Sequence, residues 1–456
     1  MKKEAVQGKK ILVVGMGRSG KAAVSELHKL GAIVHAQDSN PVEKMDPKFV
    51  TFLEREQIPF DFGQNPADMT CFDMVVLSPG VPTDLPFLTE ARNAGTEVIG
   101  ELEMAYRLSK GTYVAITGTN GKTTTTTLVG KIFEKAHRKT AVVGNIGVAA
   151  ISKAVEATDD EWMITEASSF QLETIKEFRP LVSAILNLTP DHLNRHKTME
   201  AYGAAKAAVF QNQAESDYLV INYDDKTCYA LSENCKAMIV PFSRKEELNF
   251  GAYLMDKEIV IRDQQGIVRP VCRTDELKII GDHNVENVLA AAAICYFAGI
   301  EIDVIAEAVR EFPGVEHRIE YCGLVDGVRF YNDSKGTNVD ASIIALKALK
   351  ENIILIAGGD GKAQDFTELA ENLNGRVKAL VLLGRDAGQI EECAKKVGFT
   401  EIYREKDMNE CVKRCVAIAS EGDNVLLSPA CASWDMYDSY EQRGVHFKTC
   451  VQELLK

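Results

Sequence analysis

Apolar residues fall along this chain in short β-branched blocks, each followed by a small-residue turn and then by a helical pattern. Ile11–Val14 runs into Gly15-Met16-Gly17-Arg18-Ser19-Gly20, a helical stretch follows, and a second strand is predicted at Ala32–Ala36, ending at Asp38. Further strands are predicted at Met74–Leu77, ahead of Ser78-Pro79-Gly80, and at Glu97–Ile99. The rhythm restarts at Tyr113–Thr117, which leads into Gly118-Thr119-Asn120-Gly121-Lys122-Thr123-Thr124 and a new helix. Strands at Trp162–Thr165 and Ser183–Leu186 and a buried Ala-rich helix at Val288–Ala298 continue this second segment. A third restart follows Pro313-Gly314, with strands at Val328–Tyr331, Ile353–Ala357, Ala379–Leu383 and Asn424–Leu427. Apolar strands alternating with helices predict parallel sheets covered on both faces, so the fold class is α/β in three domains.

Length agrees: 456 residues suit about three ordinary domains. Composition changes the picture only by exclusion. A net charge of −14 argues against general nucleic-acid binding, which needs a clustered positive surface. Eleven cysteines without a Cys-x-x-Cys pair or zinc-like spacing fit a reducing cytoplasm. The basic N-terminus carries an apolar run too short for a signal peptide, and it passes straight into a glycine turn. No apolar stretch approaches the ~20 residues of a membrane span.

The two glycine turns carry the candidate chemistry. Gly15–Gly20 matches G-x-G-x-x-G, with Asp38 about twenty residues on. Backbone N–H groups at such a helix start favour a phosphate. Alone, the motif suggests NAD or FAD, or a turn that serves only strand–helix packing. The second loop is a shortened relative of the Walker A loop, since Gly118 stands only three residues before Gly121. Lys122 can still reach β- and γ-phosphates, and the Thr123 hydroxyl can hold Mg²⁺. The three domains are therefore expected as a Rossmann-like N-terminal domain over 1–101, a central P-loop-type ATPase domain over 102–313, and a C-terminal Rossmann-like α/β domain over 314–456.

The run AITGTNGKTTTT resembles the ATP loop of the Mur ligase superfamily, which includes folylpolyglutamate synthases. The likeness extends through Gly144-Asn145-Ile146-Gly147, Glu166–Leu172, Asn187–Leu193 and Gly281–Asn287 to Glu316-His317-Arg318, Asn332–Asn338 and Gly358–Lys362. Ser428-Pro429-Ala430-Cys431-Ala432-Ser433-Trp434-Asp435 looks like the D-glutamate-adding branch, as does the Rossmann-like N-terminus, which folylpolyglutamate synthases lack. Asn194 stands where an Asp is common, and Ala167 and Gly336 also depart from the pattern.

The resemblance implies a monomeric cytoplasmic enzyme acting on UDP-N-acetylmuramoyl-L-alanine, D-glutamate and ATP. It assigns Gly118, Thr119, Asn120, Gly121, Lys122, Thr123 and Thr124 to the ATP phosphates, with Asn284, Asn287, Arg318 and Asp333 around the nucleotide. It places Thr123 and Glu166 on one Mg²⁺, and His192 with carbamylated Lys206 on a second. Lys122, Glu166, His192 and Lys206 are then the catalytic set. Arg18, Ser19, Asp38, Ser39, Ser78, Pro79 and Gly80 would hold the uridine diphosphate, and Asn145 and Ser168 the muramoyl part. Lys335, Thr337, Lys362, Ser433 and Tyr440 would bind D-glutamate.

Without the resemblance these residues have plainer readings. Glu166 reads as a solvated strand-end carboxylate, His192 as a loop residue, and Lys206 as a snorkelling surface lysine on a helical stretch Ala201–Phe210. His317, Arg318, Asp333 and Lys335 read as a surface charge cluster, and Trp434 and Tyr440 as packing aromatics. Other function classes are a neighbouring Mur ligase or a folylpolyglutamate synthase, an NAD(P)-dependent dehydrogenase, and a non-catalytic nucleotide switch.

Overall fold

The computed structural model describes residues 3–66, 68–349 and 351–455. The chain forms two compact units, Met1–Leu277 with Glu286–Glu311, and Lys278–Val285 with Phe312–Lys456.

The first unit holds two sheets. Strands β1 (Lys10–Val14), β2 (Ile33–Asp38), β3 (Phe60–Phe62), β4 (Met74–Leu77) and β5 (Glu97–Gly100) pair in parallel in the order 3-2-1-4-5. That order is the core of a doubly wound sheet, with β1 at the point where the chain reverses direction across it. Ile11, Leu12 and Val13 of β1 are fully buried because helices cover both faces. Each such side chain contributes roughly 1.5–3 kcal/mol through burial.

The second sheet comprises β6 (Thr112–Thr117), β7 (Thr140–Gly144), β8 (Trp162–Glu166), β9 (Val182–Ile185), β10 (Tyr218–Asn222), β11 (Met238–Ser243), β12 (Gly251–Met255), β13 (Glu258–Arg262) and β14 (Val268–Arg273). Their order is 14-13-12-11-10-9-6-8-7. Strands β6 to β12 pair in parallel, while β13 and β14 add antiparallel to the edge. β6 lies between β8 and β9, so the chain crosses from one side of it to the other. The carboxyl end of such a strand is where open α/β sheets bind ligands.

The second unit's sheet runs β15 (Glu320–Val325), β16 (Val328–Asn332), β20 (Asn424–Leu427), β17 (Ile353–Ala357), β18 (Val377–Leu382) and β19 (Ile402–Arg404). Only the β15–β16 pair is antiparallel. All five residues of β17 are buried, as expected for a central parallel strand.

Every predicted strand is present to within two residues, and the Ala-rich helix extends over Asp282–Phe297. The strands β3, β7, β10 to β15 and β19 are additional to those the sequence pattern predicts. β3 and β19 are three residues long and partly exposed, which leaves little hydrophobic signal. β14 carries Pro270, tolerated because β14 is an edge strand.

Candidate active site

The first glycine turn joins β1 to the helix Arg18–Lys29. A Cβ at Gly20 would lie 1.8 Å from the Gly15 carbonyl oxygen, so only glycine lets the helix start this close to the strand. Asp38, buried at the end of β2, fixes the turn: its carboxylate accepts from the Met16 amide at 2.6 Å and the Asn40 amide at 2.8 Å. Beside it opens a cavity of about 560 Å³ lined by Arg18, Ser19, Asp38, Ser39, Ser78, Pro79 and Gly80 among others. The seven residues expected to hold a uridine diphosphate therefore share one wall system. Asn145 and Ser168 do not line it. Arg18 reaches beyond it, donating to the carbonyls of Gly144, Asn145 and Gly147 at 2.9–3.1 Å.

The second turn follows β6 and starts the helix Lys122–Lys135. Gly121 has φ +82°, and a Cβ there would stand 2.2 Å from Asn287 Oδ1, so a side chain is excluded twice over. Asn187 braces the loop by accepting from the Asn120 amide at 2.8 Å and donating to its carbonyl at 3.1 Å. Lys122 Nζ folds back to donate to the Gly118 and Thr119 carbonyls, each at 2.7 Å. Lys206 Nζ donates to the same Gly118 oxygen at 2.8 Å. Two lysine amino nitrogens thus converge on one carbonyl.

Lys206 is 1% exposed, which overturns its plain reading as a surface lysine. It sits on the helix Met199–Ala207, where Tyr202 packs beneath its ammonium at 4.4 Å. Burial, reinforced by the nearby Lys122 charge, holds its pKa well below the usual lysine value. Glu166 is likewise no solvated carboxylate. It ends β8 at 1% exposure, its Oε1 accepts from Asn145 Nδ2 at 2.7 Å, and its Oε2 is buried without a hydrogen-bond partner. An orphaned carboxylate oxygen on the strand beside β6, whose end carries the second glycine turn, is a donor that could serve a hard cation. His192 is half exposed, in left-handed backbone with φ +52°, and its Nε2 lies 3.4 Å from Asp191. Ser168 caps the helix Ser169–Leu172 in a capping box with Gln171.

In the second unit the expected surface charge cluster is largely interior. His317 and Asp333 are each 4% exposed. Asp333 accepts from Ser428 Oγ at 2.7 Å and from the Ile319 amide at 3.2 Å, and burial lifts its pKa to about 7. The Ser428 hydrogen bond and then the Arg318 charge counter only part of that lift, and Arg318 Nε is buried without a partner. Asn284 donates to the Ile280 carbonyl at 2.7 Å. Lys362 lies 4.1 Å over the ring of Trp434, which is 66% exposed, and Lys335 lies 5.8 Å over Tyr440. Trp434 is thus no packing aromatic. Thr337 donates its amide to the Lys335 carbonyl, and the carbonyl of buried Ser433 accepts from the amides of Met436 and Tyr437.

Sequence reasoning missed Arg443 and Arg195. Arg443, 2% exposed, donates to Ser334 Oγ and to the carbonyls of Ser334 and Cys431. Arg195 lies three residues after His192, just beyond the Asn187–Leu193 motif, and that adjacency was the available signal. All eleven cysteines are free. Among the described residues no helix is long and apolar enough to cross a membrane.

Three family domains match in order: the Mur ligase MurD-like N-terminal domain over residues 9–100, the Mur ligase middle domain over 116–295, and the Mur ligase glutamate ligase domain over 317–431. The chain belongs to the Mur ligase family. Within it, the chain is 47% identical over 450 residues to a UDP-N-acetylmuramoylalanine--D-glutamate ligase of Clostridioides difficile, covering 98% of this chain and 99% of that protein. It is 49% identical to the protein of the same name from Alkaliphilus oremlandii, covering 98% of each. In fold it is similar to a UDP-N-acetylmuramate-alanine ligase from Thermotoga maritima, with a TM-score of 0.59 at 22% identity over 98% of this chain and 99% of that one.

Proposed function

We propose that this protein is an ATP-dependent ligase that joins D-glutamate to UDP-N-acetylmuramoyl-L-alanine in the cytoplasm, forming ADP and phosphate. What supports this most is the end-to-end likeness to relatives carrying that name. The free cysteines accord with a reducing compartment.

The uphill step is joining a carboxylate to an amine in water. An L-alanyl carboxylate oxygen attacks the γ-phosphorus of ATP, the bond to the ADP oxygen breaks, and an acyl phosphate forms. The D-glutamate nitrogen then attacks the acyl carbon, the tetrahedral adduct expels phosphate, and the nitrogen loses its proton. Charge is the obstacle, since an anionic carboxylate must approach a polyanionic nucleotide. Lys122 and the amides of the turn other than those of Thr119 and Asn120, which Asn187 holds, would meet that charge, and alignment supplies much of the rest. To act, Lys122 must leave the two carbonyls it caps.

The unpartnered Glu166 Oε2 fits magnesium: with Thr123 it would hold one ion, and we assign His192 and Lys206 to a second. An ion held there would supply positive charge to the transferring phosphoryl group. Lys206 suits this role only as a carbamate, an anionic oxygen donor. Its burial favours the neutral amine that adds to carbon dioxide. We assign Asn284, Asn287, Arg318 and Asp333 to the nucleotide. The residues lining the 560 Å³ cavity take the uridine diphosphate, and Asn145 and Ser168 the muramoyl group. Lys335 and Lys362, with the donors of Thr337, Ser433 and Tyr440, answer the two carboxylates of D-glutamate.

The test is phosphate release by purified protein with ATP, UDP-N-acetylmuramoyl-L-alanine and one amino acid at a time. Release should require the acceptor and D-glutamate, with L-glutamate much poorer. Equal turnover with L-alanine, L-lysine or a folate acceptor overturns the assignment.

A further inference from the structure

Arg195 belongs neither to the uridine diphosphate residues nor to the metal set, yet it bridges the two. It stands on the one-turn helix Leu193–His196, which begins directly after His192. Its Nη1 donates to the Pro79 carbonyl and its Nη2 to the Val81 carbonyl, each at 3.1 Å. Those oxygens flank Gly80 in the loop that lines the uridine diphosphate cavity. On the other side, Nη2 and Nε hold the Glu173 carboxylate at 2.6 and 3.3 Å, and the guanidinium lies 4.2 Å over the Phe170 ring. The Phe170 ring is 4.9 Å from the His192 ring.

His192 needs such support. A side chain at φ +52° costs on the order of 1 kcal/mol or more, and such backbone persists only where its surroundings over-determine it. Here the next turn does so. The amides of Arg195 and His196 both donate to the His192 carbonyl, at 3.0 and 3.1 Å, and both side chains are clamped. His196 is held by Ser169 Oγ at 2.9 Å and faces Glu173 at 3.4 Å. Arg195 is held by the two carbonyls of the neighbouring domain. A shift of the Ser78–Val81 loop therefore reaches His192 through one guanidinium and one ring.

We propose that Arg195 is a positioning residue that couples the loop holding the uridine diphosphate to the orientation of His192, so that this substrate and Mg²⁺ strengthen each other's binding. The proposal rests on the assignment of Ser78–Gly80 to the nucleotide-sugar and of His192 to the metal. A simple interdomain staple would lower thermal stability when removed but leave the metal dependence alone.

The experiment titrates Mg²⁺ in the phosphate-release assay at low and at saturating UDP-N-acetylmuramoyl-L-alanine, and measures by calorimetry, without turnover, the affinity for that substrate with and without Mg²⁺, which should differ by the same factor. In the unsubstituted protein the half-activating Mg²⁺ concentration should fall roughly ten-fold as that substrate saturates, the order of a typical coupling between sites. Arg195→Ala should lose this dependence and raise the KM for the UDP substrate while leaving the KM for ATP unchanged. Arg195→Lys, which keeps one donor toward the loop, should retain part of it. Phe170→Leu, which leaves both carbonyl contacts intact but removes the intervening ring, carries the test if Arg195→Ala does not fold. A folded Arg195→Ala or Phe170→Leu protein with the original Mg²⁺ response overturns the coupling, as does an unsubstituted protein with no such response. Failure of the unsubstituted protein to release phosphate with D-glutamate overturns the function itself, and this proposal with it.

Discussion

The two glycine turns do the same topological job and are finished in opposite ways. At the first, the acid that fixes the turn is buried against backbone amides, its arginine is committed to three carbonyls of the neighbouring loop, and a 560 Å³ cavity stands open beside it. At the second, Lys122 and Lys206 fold inward onto the loop's own carbonyls. If it takes the uridine diphosphate, as proposed, the first turn offers an open cavity with Asp38 and Ser78 already fixed in its wall. The second, if it takes the ATP phosphates as proposed, must trade internal hydrogen bonds for phosphate contacts, which ties binding to a change of side-chain state. Binding energy used for such rearrangement counts toward the chemical step rather than toward affinity.

The largest effect expected from this contrast is at Lys122. Lys122→Ala should lower phosphate release on the order of a thousand-fold, with the affinity for UDP-N-acetylmuramoyl-L-alanine, measured by calorimetry, unchanged within two-fold or so. Loss of that affinity would break the division of labour between the turns. Next comes Lys206. Lys206→Ala should cost on the order of a hundred-fold and recover in part when a short carboxylic acid is added to the buffer. Lys206→Arg should be as impaired and gain nothing from the acid, since a guanidinium keeps the charge but cannot ligate. Near-normal activity of Lys206→Arg would exclude the carbamate. Arg18→Ala should act more mildly, raising the KM for the UDP substrate about ten-fold, the worth of a hydrogen bond to a charged group. A rise in the KM for ATP alone would mean that the turns have exchanged roles.

The smallest effect concerns the seat of the first turn. Glu101 is buried between the two domains of the first unit, accepting from the Ile151 amide at 2.7 Å, with Oε2 unpartnered. It also lines a cavity of about 10 Å³ beside Ser78 and Pro79, room for one water. Burial raises its pKa from 4.5 to about 7. The folded protein therefore holds this proton more tightly than the unfolded chain. The stability that follows is fully present below about 4.5 and lost as the pH rises through about 7. Melting of Glu101→Gln should accordingly fall less between pH 5 and pH 8 than that of the parent, by a few degrees. Parallel pH profiles for the two proteins would show that Glu101 does not titrate in this window.

The strand cores and both turns could be read from the sequence because their signals are local: an apolar β-branched run, a glycine, then a helix start. The environments of the reacting groups could not. Lys206 has the sequence context of a surface lysine because its helix carries a mixed face, and its burial depends on Gly118, eighty-eight residues away. Arg195 reads as one charge in a polar turn, since its partners Pro79 and Val81 are more than a hundred residues distant in the chain. Glu166, on a strand between β6 and β7, and His317, packed against Asn332, Tyr440 and Gly444, show the same limit, since their neighbours are distant in the chain. Family resemblance supplied roles for several of these residues, but it supplied none for Arg195.

Lys362 above Trp434 has an optical consequence. The chain has two tryptophans, and the other, Trp162, sits at the start of β8 with its ring 5.0 Å from that of Phe133. An ammonium held over the open face of an indole shifts the energy of its excited state, and drawing that ammonium away toward a carboxylate shifts it back. The emission of Trp434 is thus a built-in gauge of where the Lys362 charge resides, readable in the unlabelled protein against a steady background from Trp162.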